Sequence, residues 1–303
     1  MKTIKPKKLK KGDIIGIIAV SGRIKELNNI EYAAKYFESQ GYKTEISDTC
    51  KTYHRYMAGT SDDDCVNTLH DFFENPDIDA ILCARGGYGT LRLLDKIDWS
   101  IIKKNPKIFA GYSDITILLN MIYKKTGLIT FHSAMANGDF GGNIEEYTKT
   151  SFFDTLQGKK EAYSAEKGTT LLKGETQGIL WGGNLATLVS LCGTDFVPDN
   201  DLIIFLEDLN EPVYKIDKML TQLFNVEKIS KNVKGIAFGE FKDIEDTKTL
   251  EEVQTEIVKK YNIPACTGFK ITHNKIKDTI PVGIMAELNT EKRIIKIKET
   301  YFK

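Results

Sequence analysis

Apolar and polar positions in the first half of the chain follow two rhythms. Positions 14–20 form a short continuous apolar run bounded by Lys10, Lys11 and Asp13, which predicts a buried strand. In 27–40 the apolar residues Ile30, Ala33, Ala34 and Phe37 recur at helical spacing, and Gly41 follows as a stop signal. Ser61 stands where a helix N-cap belongs, with Asp62, Asp63 and Asp64 in the first turn and Val66, Leu69, Phe72 and Phe73 on one side. Further strands are predicted at 80–84, 108–111 and 129–132, and a helix over about 115–125. Short strands alternating with amphipathic helices imply an α/β fold: a mostly parallel, flavodoxin-like sheet with helices on both faces.

The pattern changes near 157–174, where the residues are polar and weakly periodic. The expected organisation is therefore an N-terminal α/β domain over 1–160, a linker over 161–174, and a second, mixed α/β domain over 175–303. In that second half Trp181-Gly182-Gly183-Asn184 precedes a helix at 185–191, and 202–206 is a buried strand reaching Glu207. Helices at 213–225 and 249–261 flank a short strand at 235–238.

Charge narrows the function classes. Lys+Arg and Asp+Glu are both 42, so the net charge is zero and a large nucleic-acid footprint is not expected. The basic run from Lys2 to Lys11 reads as a solvated tail. No stretch reaches the roughly 18 apolar residues of a membrane span, and no secretory signal is expected. Five scattered cysteines without a C-x-x-C pair point to reduced thiols and a cytoplasmic location. The four histidines show no metal-ligand spacing, so neither a metal nor another cofactor is expected.

Two loops fall at the carboxyl ends of predicted parallel strands, where ligand sites of such sheets lie. Arg85-Gly86-Gly87-Tyr88-Gly89 reads either as a tight turn or as a cradle whose backbone amides approach a ligand. In Gly111-Tyr112-Ser113-Asp114, Ser113 reads either as a helix cap or as a nucleophile at a strand-to-helix elbow. His273, in a polar loop, reads as a solvated residue or a general base. Glu207 reads as a surface charge or as the carboxylate that orients that base.

Together these segments resemble the LD-carboxypeptidases, the serine peptidases of family S66. The similarity runs from Gly12-Asp13-Ile14-Ile15-Gly16-Ile17 with Ser21-Gly22 to Pro281-Val282-Gly283. It includes, in order, Ala84 to Gly89, Gly111 to Thr116, Gly182-Gly183-Asn184-Leu185, Leu206-Glu207-Asp208 and the His273 loop. The resemblance implies a Ser113–His273–Glu207 triad and an oxyanion hole from the backbone N–H of Asp114 and one from the Gly86-Gly87 loop. The implied substrate is a small peptide, the cytoplasmic murein tetrapeptide, from which C-terminal D-Ala is released during cell-wall recycling; the family also suggests a homodimer. Arg85 reads as a fork for a terminal carboxylate or as one half of a structural ion pair. A second expectation within the family is a hydrolase conferring self-immunity to microcin C-type peptidyl-nucleotides, for which Trp181 is a candidate contact, its alternative being a core or rim aromatic. From a different class, the same loops would also suit a non-catalytic protein that captures a small anion.

Overall fold

The computed structural model describes residues 2–303. Its first half runs β1 (Ile14–Ile18), α1 (Leu27–Ser39), β2 (Lys43–Ile46), the hairpin β3 (Tyr53–His54) and β4 (Met57–Ala58), α2 (Asp62–Glu74), β5 (Ile78–Cys83), α3 (Trp99–Lys104), β6 (Ile108–Gly111), α4 (Thr116–Thr126), β7 (Thr130–His132) and α5 (Glu146–Leu156). The second half runs β8 (Ala162–Ser164), β9 (Thr170–Leu172), β10 (Glu175–Asn184), α6 (Leu185–Val189), β11 (Leu202–Leu209), α7 (Val213–Phe224), α8 (Glu227–Asn232), β12 (Val233–Lys242), α9 (Thr247–Tyr261), β13 (Ala265–Cys266), β14 (Ile280–Val282), β15 (Ile284–Asn289) and β16 (Ile294–Ile297). No helix among the described residues is long and apolar enough to cross a membrane.

The predicted rhythms have local causes. Helix α1 buries Ile30, Ala33, Ala34 and Phe37. Helix α2 is capped by the Ser61 side chain, which accepts from the Asp64 amide at 3.1 Å, so one unpaired N-terminal donor is satisfied. Strands β5 and β6 carry uninterrupted apolar stretches because helices cover both of their faces.

Two sheets result. The first has the order β14-β7-β6-β5-β1-β2, parallel except for β14, which pairs antiparallel with β7. The second has the order β8-β16-β15-β10-β11-β12-β13-β9, with a parallel centre from β10 to β13 and antiparallel flanks. This is the expected α/β architecture with a second mixed sheet.

The expected domain boundaries need correction at two places. Segment 161–174 is not a free linker: β8 pairs with β16 and β9 with β13, so it forms both edges of the second sheet. These strands were hidden because edge strands need little apolar burial; Thr170, Leu171 and Leu172 are only half-buried. Nor is the boundary clean, because β14, from the second half, closes the first sheet.

The halves are joined by close backbone approach. Asn120 of α4 donates to the Gly182 carbonyl at 2.9 Å, and its own side-chain oxygen accepts from the Gly182 amide at 3.3 Å. Gly183 has φ +141°, and a β-carbon there would lie 2.6 Å from Thr116 Oγ1, so only glycine lets β10 lie against the start of α4.

Gly283 joins β14 to β15, with φ +94°, and a β-carbon there would lie 2.2 Å from the Tyr123 ring. Gly283→Ala combines left-handed strain with overpacking and is expected to destabilise by about 2–4 kcal/mol. Urea unfolding followed by circular dichroism checks this; an unchanged midpoint would contradict the crossing geometry.

Candidate active site

Strand β6 ends at Gly111, where a side chain would collide with Ile115 (2.9 Å) and Cys83 (3.1 Å), and the chain turns sharply. Ser113 occupies this turn with φ +64°, a left-handed conformation that costs a non-glycine residue about 1–2 kcal/mol. Strain of this kind persists where the surroundings over-determine it, and it holds a side chain away from the regular path of the backbone. The Ser113 hydroxyl makes no hydrogen bond among the described residues.

The glycine loop lies directly on this elbow. A β-carbon on Gly86 would sit 2.8 Å from Ser113 Oγ and 3.2 Å from the Asp114 amide nitrogen, so Gly86 is required for the approach. The amides of Gly86, Gly87 and Asp114 have no backbone acceptor among the described residues. Asp114 ties the loops together. Its buried carboxylate accepts from Ser21 Oγ (2.6 Å) and the Thr90 amide (3.0 Å), and its carbonyl accepts from Thr90 Oγ1 (2.7 Å).

Glu207 lies within β11, which continues to Leu209, and it is completely buried. Its Oε2 lies 2.7 Å from His273 Nδ1, while Oε1 has no partner. His273 Nε2 likewise lacks a partner, and the His273 side chain is 12% exposed, so the ring presents one free nitrogen at the edge of the site. The neighbouring Asp208 carboxyl is pushed up to about 6 by burial; the Leu209 amide works against this and the Glu207 charge adds to it.

His273 belongs to the segment that leaves β13 in the second sheet and enters β14 in the first. Four contacts pin that segment to the first half. Lys277 Nζ pairs with Asp139 Oδ1 (2.6 Å) and donates to Tyr112 OH (3.0 Å), Thr148 Oγ1 donates to the Lys275 carbonyl (2.7 Å), and Asp278 pairs with Lys160. Tyr112, the residue before Ser113, packs edge-on against the His273 ring with centroids 4.8 Å apart. The Ser113 elbow thus touches the Gly86 loop on one side and, through Tyr112, the His273–Glu207 pair on the other.

Arg85 forms no ion pair among the described residues. Its Nε donates to the Gly86 carbonyl (3.1 Å) and its Nη1 to the Arg23 carbonyl (2.9 Å), so it braces the loop. Trp181 is a correction: it is 0% exposed and packs against Phe196 in the core, out of reach of any ligand. Its place inside β10, among residues buried on both faces, fixes this. Burial pushes the Cys50 thiol up to about 11 and those of Cys65 and Cys266 up to about 12, and it raises Cys83 and Cys192 as well, which disfavours the thiolate at all five.

Sequence reasoning missed Tyr112, Lys277, Asp139 and His132, which pack around the Ser113 elbow and the His273 segment. A lysine in a polar loop gives no sign that it will be buried. His132 is wholly buried against Tyr112 and Phe205, and neither of its ring nitrogens has a partner.

Comparison with known sequences matches the LD-carboxypeptidase N-terminal domain over residues 15–133 and its C-terminal domain over 177–288. The chain belongs to the LD-carboxypeptidase family. It is 37% identical to a probable murein peptide carboxypeptidase of Bacillus subtilis, over 97% of this chain and 94% of that one. It is 29% identical to the microcin C7 self-immunity protein MccF of Escherichia coli, covering 96% and 94%. The crystal structure of an MccF-like protein of Bacillus anthracis superposes with a TM-score of 0.87 at 30% identity, covering 97% of this chain and 99% of that one. This LD-carboxypeptidase is thus a peptidase.

Burial, together with the charges of His273 and Lys277, holds the His132 imidazole down at about 3. Its folded value lies below the unfolded value of about 6.5, so the stability it contributes is present above pH 6.5 and lost as the pH falls towards 3. His132→Phe is expected to flatten the loss of stability between pH 6.5 and 4, by at most about 1.4 kcal/mol per pH unit. Denaturant midpoints across that range check it; identical pH slopes in the two proteins would refute it.

Proposed function

We propose that this protein is a serine carboxypeptidase that cleaves an L,D-amide bond and releases C-terminal D-Ala from murein tetrapeptide. The observation that carries the reading is the buried Glu207–His273 pair, with His273 Nε2 free, next to the strained Ser113 elbow. Ser113 Oγ attacks the scissile carbonyl and gives its proton to His273 Nε2. Glu207 holds the Nδ1–H, which fixes the tautomer and stabilises the imidazolium. The backbone amides of Asp114 and of the Gly86-Gly87 loop donate to the oxyanion, each worth about 3 kcal/mol in acyl transfer of this type. His273 then returns the proton to the leaving amine of D-Ala, and water resolves the acyl-enzyme by the same steps in reverse. A cytoplasmic role in cell-wall recycling fits the scattered, unpaired cysteines.

Similarity to the microcin C7 self-immunity protein supports a second reading, hydrolysis of a peptidyl-nucleotide. The burial of Trp181 removes the one aromatic that the sequence offered for stacking on a base.

Incubation with an L,D-tetrapeptide, a peptidyl-nucleotide conjugate and an L,L-peptide, read by mass spectrometry, should release D-Ala from the first. Ser113→Ala and His273→Ala should each lower kcat by at least about a thousandfold, and the double variant should be hardly worse. Glu207→Gln should cost less than Ser113→Ala. A folded Ser113→Ala protein retaining more than about a tenth of the activity, an effect below roughly 1.4 kcal/mol, would overturn the nucleophile assignment.

A further inference from the structure

Beside the glycine loop lies a cavity of about 720 Å³ lined by Gly22, Arg23, Lys25, Arg55, Tyr56, Arg85, Gly87 and Tyr88. Four of these residues are cationic and none is acidic. Some other surface cations, beside the first sheet and elsewhere, are paired. Arg92 is held by both oxygens of Asp62, and Lys96, Lys228 and Lys298 each have a carboxylate partner. Arg23, Lys25, Arg55 and Arg85 form no ion pair among the described residues, in a chain whose total charge is zero.

Arg23 and Arg85 are held in place by a built framework. The β3–β4 hairpin is stitched to the Ser21-Gly22-Arg23 loop, since the Arg23 amide donates to the Tyr56 carbonyl at 3.0 Å and Gly22 bridges to Met57. The Arg23 carbonyl in turn accepts from Arg85, and the Arg23 guanidinium lies 5.0 Å above the Tyr53 ring. Arg55 sits at the hairpin tip with φ +57°, a conformation in which glycine or asparagine is far more comfortable than arginine. Tyr56 and Tyr88, 57% and 45% exposed, stand with ring centroids 5.8 Å apart at the edge. The cavity also adjoins the Ser113 elbow: a β-carbon on Gly22 would touch the Gly86 carbonyl at 2.7 Å, and one on Gly86 would touch Ser113.

We propose that this cavity is an oxyanion-binding subsite, which holds a carboxylate or phosphate carried by the substrate beyond the bond that is cut. Guanidinium groups fork onto such oxyanions, and uncompensated cations on one wall raise the local concentration of an anionic ligand. The tyrosine faces would cover whatever group carries the anion. The inference rests on the proposed peptidase reading, because it assigns the anion to a substrate.

Titration calorimetry of the whole protein with inorganic pyrophosphate and with tricarballylate tests the cavity without turnover. At least one of the two should bind, and the one bound more tightly identifies phosphate or carboxylate as the source. The Arg23→Gln/Arg55→Gln protein should bind at least about tenfold more weakly, as expected for loss of charge-assisted hydrogen bonds. Lys248→Gln, on an exposed helix face, should bind like the wild type. In turnover, the double variant should raise KM for a substrate bearing the distal anion at least about tenfold, by more than kcat falls, and much less for one with that anion amidated. Absence of binding by the wild type, or equal binding by the folded double variant, overturns the subsite. If no L,D-peptide is hydrolysed the peptidase reading falls, and the calorimetry still decides the cavity.

Discussion

The contact between α4 and β10 sets the geometry on which the rest depends. Asn120 uses both its amide hydrogens and its carbonyl oxygen on Gly182 and its own helix, and Gly183 brings the strand against Thr116. Ser113 stands at the entry to α4, and Glu207 lies on β11, which pairs with β10 opposite Asn184. One tight approach at two glycines therefore fixes the distance between Ser113 beside one sheet and Glu207 on the other. A larger residue at position 182 or 183 would move the two sheets apart, and a 1 Å error there is enough to cost a reaction two orders of magnitude.

His273 is held by a different device. The His273 segment spans the two sheets and is pinned by buried ion pairs, Lys277 with Asp139 and Asp278 with Lys160. Such pairs add little net stability because both charges lose their water. They do specify a single arrangement, since a shifted loop would leave two charges buried and alone. Glu207 is likewise wholly buried with one unpaired oxygen, an unfavourable situation that His273 relieves. Stability is thus given up around His273 in exchange for a fixed orientation of the imidazole.

The parts of this molecule with strong local signals were readable in the sequence. Helix α2 announced itself through Ser61 and three aspartates, and the apolar runs of β1, β5 and β6 could be nothing but buried strands. Ser113 was visible as a strand-to-helix turn, though its left-handed backbone was not, because serine gives no hint of positive φ. Strands β8 and β9 were not visible, since partners far along the chain, β16 and β13, define them. Trp181 was ambiguous for the same reason: an aromatic at the mouth of a Gly-Gly turn and one in a core look alike until the neighbouring strands are placed. Lys277 and His132 carry no local pattern at all, and only the packing of distant elements buries them.

The placement of β14 bears on how the chain reaches this structure. Residues 280–282 close the exposed edge of β7 in a sheet otherwise complete by residue 132. During synthesis on the ribosome, the first sheet must wait with an open edge while about half the polypeptide is still to come. An unpaired edge is a template for wrong partners. Strand β7 is only three residues long, which limits the hydrogen bonds such a partner could make while the correct one is being made.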